Sequence, residues 1–168
     1  MLTYQDPKNN FKVAKNAHEL FTINLMIVHL FLALGLNKLF AVDMNTSISS
    51  SIAISLVVIL FTYLKTKQLK DSDQEFDYLN WQLSLNRYKM LIGAYFFFFL
   101  SMFMGLFTSS GGSNSMDGHS ISEAIFLLLG IVPLFIVILI GIIIGSGSIY
   151  SAGKGEITKK FAEKYSSE

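Results

Sequence analysis

Polar stretches along the chain alternate with four long apolar runs, at roughly Leu20–Val42, Ile48–Leu64, Met90–Phe107 and Ala124–Gly145. Each is close to the ~20 residues a helix needs to cross ~30 Å of hydrocarbon. The second, at about 17 residues, needs local thinning of the bilayer, snorkelling side chains or partner helices to fit. The fourth run carries no charged residue between Phe126 and Gly145. A helix buried in a soluble domain seldom stays apolar on every face over that length. The pattern predicts an all-α integral membrane protein in which residues 1–168 form one domain of four transmembrane helices. The first run exceeds the ~7–15 residues of a signal-peptide core and follows a polar arm, so it reads as a retained helix.

The distribution of cations predicts the orientation. Lys8, Lys12 and Lys15 precede the first run; Lys65, Lys67, Lys70, Arg87 and Lys89 lie between the second and third; Lys154, Lys159, Lys160 and Lys164 follow the fourth. Of the 13 Lys and Arg residues, that leaves Lys38, near the far end of the first run. The positive-inside rule then places both termini and the middle loop in the cytoplasm. The cytoplasmic segments are then an amphipathic arm over residues 1–19, a helical loop over 65–89 and a basic tail over 146–168. The membrane assigned is a bacterial inner (plasma) membrane.

Asp6 and Pro7 read as an N-cap and first helical position. Phe11, Ala14, His18 and Phe21 then recur at helical spacing beside Lys12 and Lys15. That pattern fits a short basic helix on the membrane surface, or simply a solvated lead-in to the first crossing. In the middle loop, Ser72 and Glu75 have capping-box spacing, and Phe76, Leu79, Leu83 and Met90 follow with helical period. The third helix is expected to start near Asp73 and run for about 35 residues, or roughly 50 Å, so that some 20 Å projects from the membrane. Phe76, Leu79, Trp81 and Leu83 are many apolar groups for an exposed loop. They need cover from the arm, the tail or another protein, and form a candidate partner surface. Trp81 and Tyr88 also suit interfacial anchoring.

Composition removes several chemistries. There is no Cys, which excludes disulfides, thiolate metal sites and Cys nucleophiles in this chain. Net charge is +1, with no broad basic face for nucleic acid. No phosphate-binding loop, HExxH, GxSxG or paired carboxylates occur. Asp117, His119 and Glu123 lie in or beside a Gly/Ser-rich loop, but metal sites need fixed geometry, so no metal or cofactor is expected. Asn45-Thr46-Ser47 fits a glycosylation acceptor, yet so short a loop holds Asn45 against the bilayer.

Inside the apolar runs, Asn24, His29 and Asn37 form a candidate polar site on the first helix, with His29 nearest the midplane. His18 and His29 fall on nearly one helical face about 16 Å apart. Stacked haems would suit that spacing, but each would need a second axial ligand that this chain does not offer. Hydrogen bonding to neighbouring helices is the favoured use of these groups. Ser51 and Ser55, with Ser47 and Thr62, lie close to one face of the second helix. Gly130, Gly141, Gly145 and Ser148 share a stripe on the fourth, including a GxxxG, and read as packing residues. Pro133 is a candidate kink.

These features point to a non-catalytic structural or accessory subunit of a larger membrane complex serving secretion, conjugation or transport. Its partners would be the lipid bilayer and other membrane subunits, as a homo- or hetero-oligomer. A small self-associating pore or carrier, lined by the Ser stripe and His29, is the alternative. A membrane enzyme is the third reading, for which no catalytic constellation is visible.

Overall fold

The computed structural model describes residues 1–5, 11–72, 74–109 and 121–165. Among these residues the protein is all-α apart from two two-residue strands, and four of the helices are long and apolar enough to cross a membrane. These are the first helix, Lys12–Phe40, the second, Met44–Lys70, the third, Glu75–Ser109, and the fourth, Ile121–Gly153. The expected N-cap at Asp6 and Pro7, Asp73, and the loop bearing Asp117 and His119 lie outside the described residues.

The second helix is longer than its apolar run. It begins where the Asp43 side chain accepts a hydrogen bond from the Thr46 amide at 2.9 Å, which caps one of the free N–H groups of the first turn. It continues through Lys65, Thr66 and Lys67 to Lys70, giving about 40 Å at 1.5 Å per residue. The third helix has the expected length of 35 residues.

The first helix is not uniform. Asn24–Leu32 is π-helical between the α-helical stretches Lys12–Ile23 and Ala33–Phe40. Its i→i+5 pattern changes the rotation per residue, so face assignments carried across it at 100° per residue do not hold. The helix ends at Ala41 in the left-handed region (φ 53°), where the Val42 amide donates to the Leu36 carbonyl at 3.2 Å.

The ends of the chain pair with each other. The strand β1 (Leu2–Thr3) runs antiparallel to β2 (Glu156–Ile157), with Leu2 opposite Ile157. The turn before β2 requires a glycine. Gly155 has φ +72°, and a Cβ there would lie 2.7 Å from the Tyr4 carbonyl oxygen. A short tail helix, Lys159–Tyr165, follows.

By internal contacts the chain forms two compact units: Met1–Tyr88 with Gly141–Glu168, and Lys89–Ile140. The first contains a core of Ala17, Leu69, Tyr78, Leu79, Trp81, Ile157 and Ala162, flanked by Leu2, Tyr4, Phe76 and Phe161. Burial of a side chain such as Leu79 contributes about 1.5–3 kcal/mol. Of the covers open to the apolar groups of the middle segment, this core uses the chain's own two ends. The Trp81 indole donates to the Val13 carbonyl at 3.0 Å, and Ser84 Oγ donates to the Ala17 carbonyl at 2.9 Å. Leu79 and Trp81 are thereby closed to a partner, while Phe76 and Leu83 remain half-buried. In the second unit, Phe98 packs against Gly130, where a Cβ would lie 3.1 Å from the ring, and Ser101 Oγ donates to the Phe126 carbonyl.

Candidate functional site

Three of the helices contribute to a polar chain in the first unit. His18, on the first helix, is fully buried. Its Nδ1 lies 3.4 Å from an Arg87 guanidinium nitrogen, and its Nε2 lies 3.0 Å from Asn80 Oδ1. A guanidinium only donates and a carboxamide oxygen only accepts, so His18 is the Nε2–H tautomer. The Asn80 amide passes the chain on to the Phe76 carbonyl at 2.8 Å. On its other side, Arg87 donates to Ser148 Oγ at 2.5 Å, and Ser148 donates to the Ile144 carbonyl at 3.1 Å.

This chain forms one wall of an open cavity of about 340 Å³. His18, Asn80, Arg87 and Ser148 supply its polar side, and Leu83 and Ile144 its apolar side. Glu156 of β2 lines the same space. Lys15–Glu19 and Lys159–Glu163 form ion pairs, and among the described residues no carboxylate is paired with Arg87. A half-buried guanidinium held by a neutral imidazole and a hydroxyl is oriented but not neutralised. The cavity can therefore stabilise an anion supplied from outside.

The residues singled out in the sequence distribute over separate places. Asn24 and His29 come together: Asn24 Nδ2 donates to Ser55 Oγ at 2.7 Å, and His29 Nδ1 donates to the Asn24 carbonyl at 3.0 Å. The i,i+5 spacing of that second bond matches the π-helical stretch. Asn37 does not join them. Its Nδ2 donates to the Val42 carbonyl at 2.9 Å and ties the turn that ends the first helix. Ser51 is buried and bonds its own helix at the Ser47 carbonyl, 3.0 Å away.

Gly141 and Gly145 lie against the first helix. A Cβ on Gly141 would come 2.6 Å from Leu25 Cδ1, and one on Gly145 2.5 Å from Thr22 Oγ1. Phe21, between these contacts, also stacks edge-on with Tyr88 at 4.9 Å. Ser148 belongs to the cavity rather than to that contact, and Gly130 sits in the second unit against Phe98. Thr22 Oγ1 and Asn24 Oδ1 are buried without close hydrogen-bond partners, as is Asn45 Oδ1, and the Tyr88 hydroxyl faces Thr62 and Asn24.

Arg87 and Asn80 were not among the sequence-derived candidates. A signal was present, since Arg87 is the single Arg among the 13 basic residues. Arg is the cation suited to bidentate recognition of carboxylate and phosphate, which Lys does not replace. Comparison with known proteins brings no match: no family model, no curated protein and no solved structure is similar to this chain.

Proposed function

We propose that the protein is a non-catalytic subunit of a larger membrane assembly, with both termini and the middle segment in the cytoplasm. The observation that supports this is the use of the polar groups inside the apolar stretches. Asn24 bonds Ser55 across two helices, and His29 bonds the backbone of its own helix. Such contacts fix helices against each other. The segregation of twelve of the 13 cations supports the orientation, and four apolar helices support an integral, multi-pass protein. The membrane we propose is a bacterial inner membrane. The process served would be secretion, conjugation or transport. The test is the mass of the native particle in mild detergent: copurifying polypeptides in fixed stoichiometry support the subunit, and a lone monomer contradicts it.

A small pore or carrier is the second reading. One observation favours it, the buried oxygens of Thr22 and Asn24 that lack close partners. Reconstituted protein that carries a pH-dependent flux abolished by His29→Gln would replace the subunit with the pore.

A further inference from the structure

The geometry points to the cavity at Arg87 as a binding site for the phosphate of a membrane phospholipid. The anion requirement comes first. Arg87 is held by His18 Nδ1 and Ser148 Oγ, and among the described residues it has no carboxylate partner. Three of its five N–H donors are free of those two contacts, enough for the two-pronged grip a guanidinium makes on a phosphate.

The lipid follows from how the cavity continues outward. Its apolar wall includes Ile144, which is 42% exposed and belongs to the most apolar of the four spans. Ile144 thus belongs both to the cavity and to a surface that acyl chains would cover. Gly147 lies between Ile144 and Ser148 on this wall, and nothing lies within 4 Å of where its Cβ would be. Open space beside a charged group and an exposed apolar face suits a molecule polar at one end and apolar at the other. A volume of about 340 Å³ is within the range of small-ligand sites.

Glu156 restricts the choice further. Its presence in the same cavity disfavours a ligand with two negative charges. A phosphodiester carries one, so beside Arg87 and Glu156 it adds less repulsion than a dianion would. The ligand class is thus a glycerophospholipid, not inorganic phosphate or a phosphomonoester. The inference requires neither the subunit reading nor either orientation, since phospholipids line both leaflets.

The test uses the full chain in detergent, with phosphatidylglycerol as probe and native mass spectrometry as readout. The wild type should retain one lipid per chain, and added phospholipid should raise its melting temperature by mass action. Arg87→Gln should weaken retention about tenfold or more, the usual size of a lost charge-assisted hydrogen bond. Gly147→Leu guards against misfolding in that variant, because its side chain enters empty space and leaves the Arg87 contacts in place. It should lose the lipid equally while its melting temperature in lipid-free detergent is no lower than that of the wild type. Retention by Gly147→Leu at the wild-type level would overturn the proposal. So would displacement of the lipid by millimolar inorganic phosphate, which would identify a site for a free anion.

Discussion

Two glycines two residues apart on the fourth helix should respond differently to the same change. Replacing either Gly145 or Gly147 by Ala improves helix propensity by about 0.8–1 kcal/mol. The new methyl at 147 meets nothing within 4 Å, so Gly147→Ala should stabilise by about that amount. At 145 the methyl arrives 2.5 Å from Thr22 Oγ1 and 3.2 Å from the Phe21 ring. Neither neighbour yields easily. Thr22 is β-branched and stiff at χ1, and Phe21 is itself closed in by Tyr88. Overpacking of this kind costs about 1–3 kcal/mol, which leaves Gly145→Ala between about neutral and 2 kcal/mol destabilising. Propensity cancels between the two variants, so the gap of about 1–3 kcal/mol isolates the contact between the first and fourth helices. Reversible unfolding in mixed detergent micelles, followed by circular dichroism, measures it. Equal shifts of the same sign at both positions would falsify the close approach of these helices.

The Asn24–Ser55 bond should show a coupling of about 0.6 kcal/mol, and at most about 1.7, in a double-mutant cycle of Asn24→Leu and Ser55→Ala. Trp81→Phe removes the donor to the Val13 carbonyl and should destabilise the protein by about 1 kcal/mol, with faster proteolysis of the N-terminal arm as the visible sign. The Thr46 hydrogen bonds hold the Asp43 carboxyl below the usual carboxylate range. A depressed carboxyl adds stability above its unfolded value of about 3.9 and loses it as pH falls through the folded value. The stability advantage of the wild type over Asp43→Ala should therefore be constant near neutrality and shrink below about pH 4.

The sequence displayed some of these features openly and hid others for physical reasons. Hydropathy locates each crossing because the bilayer selects against charge, and the capping residues near Ser72 placed the start of the third helix within a few residues of Glu75. Hydropathy says little about where a helix stops. The second helix extends past its apolar run at both ends because backbone hydrogen bonds continue through polar residues such as Lys65 and Thr66. The π-helical stretch at Asn24–Leu32 was not legible, since its residues are ordinary helix formers and no Pro or Gly marks it. Strands of two residues show no periodicity, so the pairing of the chain's ends, which covers Leu79 and Trp81, was also hidden. The cavity depends on that pairing, because Glu156 and Ile157 reach it from β2. In sequence Arg87 is one more basic residue of the middle loop; only the fold sets it beside His18 and Ser148.

The number of crossings and their direction underlie the functional account, and the absence of Cys makes them directly measurable. Single cysteines at Ser72, at Ser113 and at Lys160 can be probed in sealed cells with a membrane-impermeant maleimide. Ser113→Cys should label in intact cells, whereas Ser72→Cys and Lys160→Cys should label only after permeabilisation. Labelling of Lys160→Cys in intact cells, or identical behaviour of Ser113→Cys and Ser72→Cys, would contradict four crossings with both termini in the cytoplasm.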